Sequence, residues 1–265
     1  MPRAAMRTVG VDLSSSSKRT AVVAIEWAKG RATVGEPVLG LDDEALVGRL
    51  ANAGWVGIDA PFGWPAEMAA SVYGYVTGDG WSGGDKDSFR YRRTDCFVRQ
   101  RVFDETGRRL SPLSVSSDRI ALTARRTAVL RECAYERSGV RFDRAGGDQV
   151  VEVYPAAALL VWGLDRGGYK STRRLDRRDV ERFARETLLA AIEDRAGWLS
   201  WVPGARDVCV DNDDALDAVL AALVARAAAM GLTAAPDVDD IGLAHSEGWI
   251  HLPVGNSLAA LMAEA

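Results

Sequence analysis

A chain of 265 residues, 48% hydrophobic and 26% charged, is long enough and apolar enough to bury a substantial core, which excludes a disordered polymer. Its formal net charge of −4 excludes a generally basic nucleic-acid coat and leaves only a local basic groove open. Three widely separated cysteines, Cys96, Cys133 and Cys209, provide neither a disulfide framework nor a metal-ligand pair.

Met1 to Met6 lacks the apolar core of a signal peptide, so a cytoplasmic location is expected. Residues 8–25 then read as two short apolar runs around a Ser-rich turn, Ser14 to Ser17. Val and Ile enrichment makes these strand, turn, strand. Asp12 closes the first run, where a buried strand opens into solvent. An acid there is either a turn residue bonding its own backbone or a metal-binding or catalytic group held by a rigid strand. The segment 32–39 predicts a third strand, and 42–51 a short helix capped by Asp42. Trp55 to Asp59 repeats the first pattern, an apolar strand ending in a carboxylate, and Pro61 stops it from running on.

Residues 65–147 are less regular. Loops are expected over 77–87, 104–112 and 138–148, with a helix over 117–137. The section reads as an insertion covering one edge of a sheet within a single domain, 1–265. A strand at 149–155 follows, then a short helix at 156–162 and a loop carrying Lys170. An amphipathic helix is predicted over 178–196. A last helix runs from the acidic stretch at 211–214 to Gly231, with a stripe of Leu216, Val219, Leu220, Leu223 and Ala227. Asp217 and Arg226 interrupt it, which argues against a membrane span. A final edge strand is expected within 247–253.

The carboxylates carry the chemistry. Asp12 and Asp59 end two strands, and Glu152 sits mid-strand among Val150, Val151 and Val153, where an unpaired charge costs several kcal/mol. Asp214 and Asp217 are three apart on the last helix and share a face. Asp211 and Asp213 are explained as helix-start residues, a stabilisation of about 0.3–2 kcal/mol, whereas Asp217 lies too deep for capping. Converging acids repel, and a hard divalent cation, Mg²⁺ or Mn²⁺, would offset that repulsion. Two such ions about 4 Å apart activate water and stabilise the leaving oxygen of a phosphodiester.

Gly10-Val11-Asp12, Ile58-Asp59-Ala60-Pro61-Phe62-Gly63, Arg93-Thr94-Asp95, Glu152-Val153-Tyr154-Pro155, Asp214-Ala215-Leu216-Asp217-Ala218 and Glu247-Gly248-Trp249-Ile250 follow one another along nearly the whole chain. This ordered set resembles domain-of-unknown-function family 429, whose members are described as predicted nucleases. The resemblance implies an α/β fold with a ribonuclease H-like mixed sheet flanked by helices. It also implies metal ligands at Asp12, Asp59 and Asp214 or Asp217, since the wider superfamily places acids on the first and fourth strands and the last helix. The Asp-x-x-Asp-Ala pattern is similar to that of Holliday-junction resolvases. Glu152 has no counterpart in the superfamily triad.

The arginines Arg90, Arg92, Arg93, Arg99 and Arg101 cluster around Asp95, with Tyr91 and Phe97 between them. They are either a phosphate grip with stacking rings or a solvated surface. Arg93 and Asp95, carried by the family motif, are the preferred substrate contacts, with Lys170 as a further phosphate candidate. The expected activity is divalent-metal-dependent hydrolysis of DNA or RNA. Asp12, Asp59 and Asp217 would hold metal, and Asp214 and Glu152 would add ligands or accept a proton. Two alternatives stand beside it: an actin-like ATPase or sugar-kinase type phosphotransferase, which needs two such lobes, and a binding protein with a structural cation.

Overall fold

The computed structural model describes residues 6–51, 53–139, 141–165, 167–172 and 174–263. In chain order the elements are β1 (Met6–Asp12), β2 (Ala21–Ala28), β3 (Arg31–Val34), β4 (Val38–Leu39), α1 (Asp43–Leu50), β5 (Trp55–Asp59), α2 (Ala66–Thr77), α3 (Lys86–Arg90), α4 (Arg93–Thr106) and α5 (Ala121–Ser138). They continue with β6 (Val150–Glu152), α6 (Pro155–Val161), α7 (Arg178–Arg195), β7 (Leu199–Trp201), α8 (Ala205–Asp211), α9 (Asp213–Ala229), β8 (Thr233–Ala234), α10 (Ile241–Glu247), β9 (Leu252–Pro253) and α11 (Ser257–Ala260). The main sheet is mixed, with order β6-β5-β1-β2-β3-β7 and β4 also against β2. β1, β5 and β6 are parallel neighbours, β2 runs antiparallel to β1 and β3, and β7 is parallel to β3. This is the mixed α/β sheet flanked by helices that the sequence predicts.

Alternation in β1 creates the layers. Val9, Val11 and Leu13 pack on one face with Leu46 and Val47 of α1 and Leu130 of α5. Gly10 points to the other face, where α9 lies so close that a Cβ would stand 1.9 Å from the Ala218 carbonyl oxygen. Gly57 of β5 makes the same allowance for Ala221, at 2.3 Å. Two glycines on adjacent strands thus let α9 settle onto the backbone of the sheet. The helix is buried around its circumference, not along the single predicted stripe, because α6, α8 and α11 cover its outer side.

Several boundaries differ from expectation for identifiable reasons. The third strand is split into β3 and β4 at Gly35-Glu36-Pro37, where Pro37 has no N–H to donate. The insertion contains α2 and α4, which the pattern hides: α2 exposes Tyr73, Tyr75 and Val76, and charged residues surround the buried Val98 and Val102 of α4. Its α5 packs with α1 against a face of the sheet, and α4 packs on α6 and α10, so the insertion covers more than an edge. β7 and α8 were not anticipated. Asn212, not Asp211, caps α9, accepting from the Ala215 N–H at 3.0 Å. The last strand shortens to β9, which pairs with β8 in a separate ribbon, while Ile250 bridges to Glu152. Among the described residues no helix is long and apolar enough to cross a membrane.

Candidate active site

Two acids stand side by side because two strands stop together. Asp12 and Asp59 are register partners at the C-terminal ends of β1 and β5, on the face that carries Gly10 and Gly57. They therefore lie beneath the first turns of α9. Each is partly open to solvent, yet protein surrounds the carboxyl groups. Burial holds the Asp12 carboxyl well above the usual carboxylate range; Asp59, Asp214 and Asp213 push it further, and the Lys170 ammonium opposes them. Burial likewise raises Asp59 to about 6, with Lys170 again opposing and the charge of Glu152 adding. Burial first, and neighbouring carboxylates after it, make these two acids resist ionisation.

α9 supplies the roof. Asp217 is fully buried, and its Oδ1 accepts a hydrogen bond from the Tyr169 hydroxyl at 2.8 Å. Its Oδ2 has no directed hydrogen bond and faces the Lys170 ammonium in an ion pair. Tyr169 is itself buried, which together with the charges of Asp59, Asp12 and Asp213 raises its hydroxyl well above the ordinary value and keeps it a donor. Asp213, one turn before Asp217, is only 6% exposed, and its charge bears on Asp12, Arg19 and Tyr169. Asp214 lies at the rim, where Arg19 grips it through Nη2 at 2.9 Å and Nε at 3.3 Å. The sequence reads Asp213 only as a helix-start residue, and it does not single out Tyr169 or Arg19. The only signals for those two are adjacency: Tyr169 to Lys170, and Arg19 to the polar turn after Asp12.

Glu152 does not join this set. Its register partner is Ile58, not Asp59, so it leaves the sheet on the other face. There its Oε2 accepts from the Phe62 N–H and from Arg92 Nη1, both at 2.9 Å, and its Oε1 accepts from Arg92 Nη2 at 2.8 Å. The same guanidinium holds Asp95 through Nη2 at 2.9 Å and Nε at 3.2 Å. All three side chains are 2% exposed. Burial pulls the Arg92 pKa down and pushes that of Glu152 up; the two carboxylates raise Arg92 above its ordinary value, and Arg92 opposes the rise of Glu152. This buried triad ties β6 to the start of α4, and it engages the Glu152 and Asp95 carboxylates with Arg92, away from the Asp12–Asp59 pair.

The other arginines are similarly engaged. Arg93 donates through Nε to Asp240 at 2.6 Å and through its backbone N–H to Glu247 at 2.6 Å. Arg90 and Arg99 lie over the Tyr91 ring at 4.9 and 5.6 Å, and Arg101 pairs with Glu105. Phe97 packs against Trp249, with ring centroids 4.8 Å apart. The cluster is thus a set of separate local contacts, with the Arg93 side chain still 46% exposed. Lys170, by contrast, stands at the acid cluster itself.

Carboxylate oxygens on a rigid strand pair, short of positive charge, fit a hard divalent cation in donor chemistry. Among the described residues, however, no three His, Cys, Asp or Glu side chains come together as a finished metal-binding group. Asp12 and Asp59 form the open part, and Lys170 already neutralises Asp217. A cavity of about 590 Å³, bordered by Arg108, Leu160, Asp165 and Asn256, is lined by none of these acids. A family model described as "Protein of unknown function (DUF429)" matches residues 10–241, a span holding every acid of the cluster. Searches of curated proteins and of solved structures returned no match.

Proposed function

The chain belongs to the DUF429 family, and from that premise we propose that it hydrolyses phosphodiester bonds in nucleic acid with the help of a divalent cation, Mg²⁺ or Mn²⁺. One observation carries the reading: Asp12 and Asp59 end adjacent parallel strands in register, under Asp213 and Asp217 of α9, where burial makes their charged forms costly. Acids are costly to gather in this way unless a cation joins them. Asp12 and Asp59 would hold the ion, with Asp213 completing the donor set while Lys170 pairs with Asp217. A bound divalent ion supplies Lewis acidity toward a phosphoryl oxygen and lowers the pKa of water.

The residues of the chain do the rest. Tyr169 keeps Asp217 oriented by donating to Oδ1, so α9 presents a fixed carboxylate. The Lys170 ammonium brings a positive charge to the acids, where charge grows on a reacting phosphoryl group. Arg19, 64% exposed beside Asp214, offers a guanidinium at the rim for a flanking phosphate. The phosphotransferase alternative requires a second such lobe, and the described residues form one large sheet with a small two-stranded ribbon. Three unpaired cysteines suit the reducing cytoplasm expected of the chain.

The test is direct. Purified protein is incubated with linear and branched DNA and RNA in Mg²⁺ or Mn²⁺, and cleavage is expected to vanish on chelation and in Asp12→Asn, with the circular dichroism spectrum of the variant unchanged. Equal cleavage by wild type and a folded Asp12→Asn would refute the assignment.

A further inference from the structure

Lys170 is one of only four lysines in the chain, against 33 basic residues in all. It sits in the segment between α6 and α7, a place where a lysine is ordinarily free to roam. Here the backbone on both sides of it is fastened. Tyr169 is tied by its hydroxyl to Asp217 at 2.8 Å, and its carbonyl accepts from Arg185 Nη1 at 2.8 Å. The same Arg185 atom donates to the Ser171 hydroxyl at 3.3 Å, and its Nε donates to the Val210 carbonyl at 2.6 Å. Thr172 donates through its N–H and its hydroxyl to Glu181 Oε1, at 2.9 and 2.6 Å.

Glu181 and Arg185 are one turn apart on α7 and only 2% and 4% exposed. Two buried charges four residues apart on a helix commonly pair with one another. These two instead hold the residues flanking Lys170. Burying charge is costly unless it is fully bonded, so the backbone around Lys170 is held in place, and its half-exposed side chain reaches from there to Asp217. Its ammonium meets the buried Asp217, while its charge also bears on Asp12 and on Asp59. One cation thus bears on three carboxylates from β1, β5 and α9.

We propose that Lys170 is a built-in second cation: the acid cluster takes a single divalent ion at Asp12 and Asp59, and the Lys170 ammonium stands where a two-ion phosphodiester site would hold the other. Two-ion sites clamp the attacking and leaving oxygens with charges about 4 Å apart, and an ammonium on Asp217 claims the second of those charges while repelling a second ion. Lys170 then contacts the phosphoryl oxygens directly, and Glu181 and Arg185 are positioning residues. This inference rests on the metal-dependent reading above.

Metal stoichiometry tests it without any turnover. Mn²⁺ binding to the full chain is counted by calorimetry and by the electron paramagnetic resonance of free Mn²⁺, for wild type, Lys170→Met, Lys170→Gln and Lys170→Arg. One equivalent is expected for wild type and Lys170→Arg. Removing the charge in Lys170→Met or Lys170→Gln is expected to admit a second equivalent or to tighten binding at least tenfold. Two equivalents in wild type, or folded neutral variants that bind as wild type does, would overturn the proposal while leaving the metal reading standing. No Mn²⁺ bound by any of the four would remove the metal reading and this inference together. Should the neutral variants fail to fold, the wild-type stoichiometry still decides between one ion and two.

Discussion

Gly10→Ala probes the contact that places the acids. The added Cβ would meet the Ala218 carbonyl oxygen at 1.9 Å and the Ala222 nitrogen at 2.3 Å, both backbone atoms of α9 that no rotamer change can move aside. Side-chain Cβ atoms essentially never come closer than 3.0 Å, so the helix must retreat from 1.9 to 3.0 Å, about 1.1 Å. Overpacking of this kind costs about 1–3 kcal/mol through off-rotamer side chains and backbone shifts; here only backbone can give way, so the upper end, about 3 kcal/mol, is expected. At about 2–4 °C per kcal/mol for a domain of this size, the midpoint of thermal unfolding should fall by about 6–12 °C. The same retreat carries Asp213 and Asp217 away from Asp12 and Asp59 by more than the ~0.5 Å that a functional site tolerates. Gly242→Ala is the control, since nothing lies within 4 Å of its Cβ position and φ is ordinary; it should be neutral or stabilising by up to about 1 kcal/mol. Differential scanning calorimetry of both variants settles the matter. A Gly10→Ala midpoint within about 1 °C of wild type would show that the glycine does not set the helix–sheet distance.

Arg92→Met should destabilise the chain by about 3–5 kcal/mol, because Asp95 and Glu152 are left buried without their shared partner. Urea unfolding measures it, and a loss below about 1 kcal/mol would mean the triad is dispensable. The Asp59 carboxyl gives a pH signature. Its folded value of about 6 lies above the ordinary 3.8, so below about pH 4 it is protonated in both states and has no effect. As the pH rises through 6 the folded state must ionise a group it resists ionising, and stability is lost, by up to about 3 kcal/mol. Asp59→Asn should therefore gain stability relative to wild type between pH 4 and 7 in the absence of metal, as read from melting curves. A parallel course of the two curves would contradict the raised value.

Much of the architecture was legible from residues close together in sequence. Val–Ile runs that stop at Asp12 and Asp59 announced two strands and their acids, and Asp42 was correctly read as the cap of α1, accepting from the Ala45 N–H at 2.9 Å. Local periodicity hid α2 and α4, because α2 exposes apolar side chains and α4 buries few. The arginine cluster likewise divides in a way that local pattern does not show. Arg92 is the extended residue that caps α4 and Arg93 its first helical residue, so Arg92 enters the core and binds Glu152 while Arg93 reaches Asp240.

Glu152 marks the division between sequence and tertiary structure. The sequence by itself determined that it sits mid-strand and needs a partner, and that Asp12 and Asp59 end their strands. Those properties follow from alternation and from the cost of burying charge, both local. Only the tertiary structure decided who meets whom. Strand register put Asp12 beside Asp59 but Glu152 beside Ile58, a one-residue offset that turns a carboxylate to the opposite face. The rotation of α9 brought Asp213 and Asp217 inward and left Asp214 to Arg19 at the rim. The clamp of α7 on residues 169–172 delivered Lys170 to the acids. Register, helix rotation and loop anchoring arise from contacts between residues far apart in the chain, which no local pattern encodes.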